Sequence, residues 1–278
     1  MDFVQQAMER FMRQPGDSSN GSTPPKPTAG SGVVPVVYTA TRTVELTDDT
    51  MRARRLLTAF EGGPFVDAYK MLRTQVVQQF RQHGWSTLGI TSPSAHSGKT
   101  LTAVNLSLAL AMDLAHTVLL VDADLRRPSV HTTFGLADGP GLTEYLFDDV
   151  PLRQLLINPG IGRFVVLPGG RRIVNSAEAL ASPKMAALVH ELKHRYPARL
   201  VVFDLPPVLS RADVLGFAPH IDAALVVVEE GRTSAAEVER AMAMLKGSVP
   251  VVGGVLNKSG RADLTPRRAQ DLLMAQAG

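Results

Sequence analysis

Six short apolar segments, built around runs such as VLLV, FVVL, LVVF, ALVVV and VPVV, constrain this chain more than any other feature of its sequence. Each run is near-continuous rather than alternating, so a strand made from it has two apolar faces and needs cover on both. The expected strands are 86–91, 117–121, 163–167, 200–203, 223–228 and 249–256, and helical periodicity over 67–83, 99–113, 183–195, 234–246 and 266–277 lies beside or between them. Strands alternating with helices of ten or more residues are βαβ units. The expected fold class is therefore α/β, a mostly parallel sheet with helices on both faces. Ser182 stands before Pro183 as an N-cap stands before a proline at the first helical position. With 278 residues, 45% of them hydrophobic, the chain can build one main domain of this kind.

The N-terminal region does not share the pattern. Phe3, Val4, Ala7, Met8, Phe11 and Met12 fall at helical spacing and predict an amphipathic helix over 1–13. Residues 14–36 contain PGDSSNGSTPPKPTAGSG, which holds too little apolar area to order itself, and are expected to be a flexible linker. The sheet domain is assigned to 37–278, with a strand around 33–39 at its border and a short helix around 50–60. The helix over 1–13 reads either as packed against the chain's own core or as a docking element, and then for a protein groove rather than for anionic lipid, because Arg10 and Arg13 are offset by Asp2 and Glu9.

Composition excludes several classes. The chain has no cysteine, which rules out disulfides and Cys-ligated metal centres and fits a reducing cytoplasm. The start, MDFVQQAMERFMRQ, has neither the basic residues nor the apolar core of a secretory signal. The most apolar stretch, 101–121, is broken by Asn105, Asp113 and His116, short of the roughly 18 uninterrupted residues a membrane span needs. A formal charge of +3 with 5% aromatic residues makes nucleic acid an unexpected partner.

Chemistry concentrates where strands end. TSPSAHSGKT (91–100) follows a strand and opens a helix, the place where backbone N–H groups and a helix N-terminus cradle phosphate. Gly98, Lys99 and Thr100 supply the last three positions of a P-loop, with Lys99 suited to the β- and γ-phosphates and the Thr100 hydroxyl to Mg²⁺. Pro93 occupies the position of the motif's first glycine. VLLVDADLRRP (118–128) ends a strand with Asp122 and Asp124, and LVVFDLPP (200–207) ends another with Asp204. Ligands of open parallel sheets bind at the carboxyl ends of strands, so all three aspartates belong at the phosphate loop's edge, where carboxylates suit an octahedral Mg²⁺.

A relaxed P-loop, a strand ending DADLRRP and a strand ending D-x-PP together resemble the bacterial tyrosine kinases of capsule and exopolysaccharide export, members of the deviant-Walker ATPases that include MinD and ParA. The resemblance runs from about 66 to 258 and takes in DAYKMLRTQ (67–75), LPGG (167–170) and GVLNKS (254–259). It implies a P-loop NTPase fold, the cofactors ATP and Mg²⁺, and phosphoryl transfer to tyrosine. Lys99, Asp122, Asp124 and Asp204 would serve catalysis, and Thr100, Asp122 and Asp204 the metal. His96, Ser97, Gly98, Lys99, Thr100, Leu101, Arg126 (or its neighbour Arg127) and Asn257 would serve the nucleotide, Asn257 at adenine. Asp67, Lys70 and Arg73 match the family's segment for assembly into a homo-oligomer. The implied partner is a separate membrane polysaccharide co-polymerase, and the implied location is cytoplasmic, peripheral at the inner membrane.

Two departures keep alternatives open. His96 stands where the family has a loop glycine, and residues 264–278, LTPRRAQDLLMAQAG, contain no tyrosine where the family clusters them. The chain's tyrosines are Tyr38, Tyr69, Tyr145 and Tyr196. A catalytically reduced nucleotide-binding regulator of the same export system is one alternative. A MinD- or ParA-like positioning ATPase is another, although Ser94 stands where those proteins carry an extra lysine.

Overall fold

The computed structural model describes residues 42–58, 62–113, 116–194, 199–210 and 212–259. The helix expected over 1–13, the linker over 14–36, the strand at 33–39 and the helix at 266–277 lie outside the described residues. In chain order the elements are β1 (Arg42–Thr43), α1 (Asp48–Ala53), α2 (Pro64–His83), β2 (Thr87–Thr91), α3 (Lys99–Ala111) and β3 (Thr117–Asp122). Then come α4 (Val130–Thr133), α5 (Leu142–Asp148), α6 (Leu152–Leu155), β4 (Ile157–Asn158), β5 (Phe164–Leu167), α7 (Ser176–Leu180) and α8 (Pro183–His194). The remainder are β6 (Arg199–Asp204), α9 (Asp213–Phe217), β7 (Ala223–Glu229), α10 (Ala235–Leu245) and β8 (Val251–Asn257).

All the strands join one sheet in the order β1-β4-β5-β3-β6-β2-β7-β8. Every pairing is parallel except that of β4 with β5. The six strands expected from their apolar runs are present within two residues of the expected bounds. Every residue of β2, β3 and β5 is buried, as a sheet covered on both faces requires. Helix α3 lies against β2, β3 and β6 and buries nearly its whole circumference, and α2 packs on α3 through Val66, Tyr69, Val76, Val77 and Phe80. The Ser182 cap forms as expected, its hydroxyl accepting the Met185 N–H at 3.1 Å. The helix expected over 50–60 is shorter, Asp48–Ala53, because Leu56, Leu57 and Thr58 leave it to enter the core. Asn105 of α3 holds that segment, accepting from Leu57 N and donating to Arg55 O, both at 2.9 Å.

This topology sorts chemistry between the two edges of the sheet. The carboxyl edge gathers the 92–98 loop after β2 with Asp122, Asp204 and Asn257, the last residues of β3, β6 and β8. The amino edge is tied by Asp222, whose Oδ2 accepts from Ser86 N (2.9 Å), Thr87 N (3.0 Å) and Thr87 Oγ1 (2.9 Å) while Oδ1 takes Lys193 Nζ at 2.7 Å. Burial alone would raise this carboxyl, but Lys193, the Ser86 amide and the Thr87 hydroxyl hold it below the ordinary carboxylate range. Asp222→Ala is expected to destabilise the fold by about 2–3 kcal/mol, since several donors lose one acceptor. With the folded pKa depressed, this stabilisation is present above the unfolded value and fades as pH falls through the folded one. Melting curves of both proteins at pH 7 and pH 3 should therefore converge at the acid end.

Candidate active site

The 92–98 loop turns sharply between β2 and α3, and two of its residues take left-handed backbone: His96 at φ 69° and Gly98 at φ 86°. Gly98 has a second reason to be glycine, because a Cβ there would overlap the Asn257 side-chain amide. Three contacts pin the loop from the β7 and β8 side. Asn257 Nδ2 donates to Ser97 O at 2.8 Å, Lys258 Nζ donates to His96 O at 2.7 Å while pairing with Glu229, and Ser94 Oγ donates to Glu237 of α10 at 2.7 Å. Lys258 and Glu237 were not foreseen; Lys258 directly follows Asn257, and Glu237 sits in the capping box Ser234 to Glu237 that opens α10.

Across the loop, the aspartates converge on Lys99. Its Nζ lies 2.9 Å from Asp124 Oδ2 and 3.3 Å from Asp204 Oδ1. Thr100 Oγ1 donates to Asp204 Oδ2 at 2.6 Å and lies 3.4 Å from Ser129 Oγ. Asp122 is held by backbone instead: its Oδ2 accepts the Ser129 and Val130 N–H groups at 2.8 and 2.9 Å, at the start of α4. Asp122 and Asp204 are fully buried, and Asp124 and Lys99 nearly so.

One ammonium thus faces three carboxylates in a low-dielectric site. Burial alone would depress Lys99, but Asp204 and Asp124 hold it above its ordinary value, so it stays protonated. Burial raises Asp204, against the opposing pull of Lys99 and Thr100. Asp122 is pushed up to about 7, by burial first and then by the Asp204 charge, although the Val130 and Ser129 amides and Lys99 pull it down. The surplus of negative charge, beside a hydroxyl, suits a divalent cation. Among the described residues no three acidic or histidine side chains form a metal cage. The Asp204 and Asp122 carboxylates with the Thr100 hydroxyl fit Mg²⁺, which is usually held by one or two carboxylates and completes its octahedron with waters and phosphate oxygens.

Residues 88–276 match the CbiA family, the CobQ/CobB/MinD/ParA nucleotide binding domain. Over 194 residues the chain is 32% identical to tyrosine-protein kinase YwqD of Bacillus subtilis, which covers 69% of this chain and 80% of that one. The chain belongs to the bacterial tyrosine kinases. Its fold matches the kinase domain of Escherichia coli tyrosine kinase ETK with a TM-score of 0.65 and 26% identity, over 83% of this chain and 94% of that one. The septum site-determining protein MinD of Pyrococcus horikoshii, complexed with Mg-ADP, shares the fold at a TM-score of 0.55 and 24% identity, over 67% and 76% of the two chains.

Within this kinase-family fold, the site residues read from the sequence divide into two groups. Ser97, Gly98, Lys99, Thr100, Asp122, Asp124, Asp204 and Asn257 come together around the loop. Leu101 packs against the core, so any share it has in a phosphate cradle falls to its backbone N–H. Arg126 has its Nε 3.6 Å from Asp213 Oδ1; Asp213 is buried and also accepts the Ser176 hydroxyl. Neither Asp213 nor Ser176 stood out in the sequence, since each falls inside a helix of five residues. Of the assembly residues, Asp67 pairs with Lys70 at 3.7 Å, and Arg73 Nη1 donates to Ala109 O at 3.3 Å near the end of α3.

The positive φ of His96 turns the departure from the family's glycine into a prediction. A residue with a Cβ is strained in this region by about 1–2 kcal/mol and holds the backbone back from a phosphate. His96→Gly keeps the carbonyl that accepts from Lys258 and should tighten nucleotide binding severalfold in a titration with Mg²⁺. Weaker binding would show that the imidazole itself contacts phosphate.

Proposed function

We propose that this chain binds Mg-ATP at the 92–98 loop and transfers the γ-phosphoryl group to a tyrosine hydroxyl, and that this activity regulates polysaccharide polymerisation and export. The observation that carries the reading is the buried cluster of Lys99 with Asp124, Asp204 and Thr100 at the end of a phosphate-loop turn. Phosphoryl transfer needs positioning and charge neutralisation more than covalent help. Lys99 would neutralise β- and γ-phosphate oxygens, the N–H groups opening α3 would cradle them, and Asn257 would bound the base side. Thr100, Asp204 and Asp122 would hold Mg²⁺, whose charge offsets that developing on the phosphates. The tyrosine oxygen bonds to the γ-phosphorus as the bond to the β–γ bridging oxygen breaks, and the hydroxyl proton passes to a carboxylate, leaving ADP and phosphotyrosine. Asp122, with its pKa near 7, and Asp124 are suited to receive that proton.

Among the described residues no helix is long and apolar enough to cross a membrane. A separate membrane co-polymerase is the proposed partner, as the family resemblance implies, with the chain acting on the cytoplasmic side and assembling through the α2 face that bears Asp67, Lys70 and Arg73. Incubating the protein with Mg-ATP and mapping phosphotyrosine by mass spectrometry tests the reading. Phosphotyrosine that disappears in Lys99→Met supports it. A second reading, a nucleotide-binding regulator that does not phosphorylate, draws on the strained His96 and on the tyrosines. Tyr69 is buried, and Tyr145 is half-buried with the Lys184 ammonium 5.3 Å from its ring centre. Nucleotide binding without any phosphotyrosine, on this chain or on an added peptide, would favour that reading.

A further inference from the structure

The order of loops along the carboxyl edge gives the site a direction. From β8 toward β5 the edge carries Asn257, the phosphate loop after β2, Asp204 after β6, Asp122 after β3, and finally the 168–175 turn after β5. A nucleotide with its base toward Asn257 and its β- and γ-phosphates on Lys99 presents its terminal phosphorus toward β3. In-line attack comes from the side opposite the leaving oxygen. The acceptor hydroxyl therefore enters over the loops that follow β3 and β5.

Those two loops are built as one wall. Ile173 N donates to Leu125 O at 3.0 Å, and Thr143 Oγ1 donates to Gly169 O (2.9 Å) and Arg171 O (3.0 Å). Gly169 packs so close that a Cβ would lie 2.7 Å from Pro128 and 3.3 Å from Asp122. The wall is basic. Arg126 is engaged by Asp213, and Arg171 by Glu144 and Asp148. Arg127 and Arg172 are exposed and have no acidic partner among the described residues. Beside them Val174 is 76% exposed, the most exposed of the large hydrophobic side chains among the described residues.

We propose that this rim selects the acceptor: a tyrosine within an acidic peptide segment, whose carboxylates pair with Arg127 and Arg172 and whose apolar neighbour rests on Val174. The proposal rests on the kinase reading above and deepens it by naming the acceptor class. Two exposed cations and one exposed apolar side chain on these adjoining loops fit a short peptide. A nucleic-acid strand calls instead for a groove of cations along its backbone with aromatic platforms for the bases.

The test uses the full chain with Mg²⁺ and a non-hydrolysable ATP analogue, titrated with labelled peptides of one length whose central tyrosine is flanked by glutamates, glutamines or lysines. Binding is expected in the order Glu, Gln, Lys, with about three- to tenfold between the first two at low salt and less as salt rises. Arg172→Glu should abolish the preference for glutamate, and adding Arg127→Glu should reverse it; nucleotide affinity should be unchanged in Arg172→Glu. Equal binding of the three peptides, or a glutamate preference that survives the double reversal, overturns the proposal. A titration with nucleotide alone separates the two readings. Wild-type protein that prefers the acidic peptide yet binds no nucleotide keeps the rim and loses the kinase reading. Protein that binds nucleotide with no peptide preference does the opposite.

Discussion

Lys99→Met should lose phosphoryl transfer by about 100-fold or more, the scale set by removing one preorganised positive group from developing charge. Nucleotide affinity should fall with it, because Lys99 is the cation placed at the start of α3, with Asp124 2.9 Å and Asp204 3.3 Å from its ammonium. The nucleotide-free protein should change too. Removing one partner of a buried pair typically costs about 3–5 kcal/mol when the remaining charge stays uncompensated. Buried carboxylates can instead take up protons, so their folded pKa values rise further in the variant. A raised folded pKa gives stability that is complete below the unfolded value and is lost as pH rises through the folded one. The loss in melting temperature should accordingly be small near pH 5 and large near pH 8, and Mg²⁺ should restore part of it. Nucleotide affinity equal to that of the unaltered protein would sink the phosphate-loop assignment.

The strands were legible because a strand buried on both faces must be apolar at every position, and VLLV, FVVL and LVVF carry that signal in four residues. The candidate loop stood out for a different reason: GKT lies between an apolar strand and a helix and is followed by two strands ending in aspartate. What the sequence did not disclose lies in elements too short to show a period. The strands Arg42–Thr43 and Ile157–Asn158 have two residues each, and α4, α7 and α9 have four or five. Yet α4 supplies the amides that hold Asp122, and α7 and α9 bring Ser176 and Asp213 to Arg126. That is why the pairing of Arg126, for which the resemblance implied a nucleotide role, with Asp213 could not be read from the sequence. His96 was legible as a departure, and histidine's tolerance of positive φ left the left-handed turn open to it. The backbone takes that turn, with His96 at φ 69°.

Asp122→Asn should separate function from stability at the same cluster. In the metal-free, nucleotide-free protein this carboxyl has a folded pKa of about 7, raised by burial and by Asp204. The unfolded value is about 3.9. Its contribution to stability is therefore complete below the unfolded value and lost as pH climbs toward 7. An asparagine carries no charge at any of these pH values. Its amide oxygen can still accept the Ser129 and Val130 N–H groups that Asp122 Oδ2 accepts at 2.8 and 2.9 Å, which keeps α4 in place. The weaker contact from Asp124 N to Oδ1, at 3.3 Å, is given up. In EDTA at pH 8 the variant should melt at or a few degrees above the unaltered protein, since relief of about 1 kcal/mol moves a domain of this size by roughly 2–4 °C. At pH 5 the advantage should vanish or reverse slightly. Phosphoryl transfer should nevertheless fall by about 100-fold, because the amide is a poor proton acceptor and a weaker ligand for a hard cation. A charge kept buried at a cost to the fold and needed for the reaction gives this opposite movement of melting temperature and rate. A fall in melting temperature at both pH values, with transfer little changed, would make Asp122 a cap for α4 and nothing more.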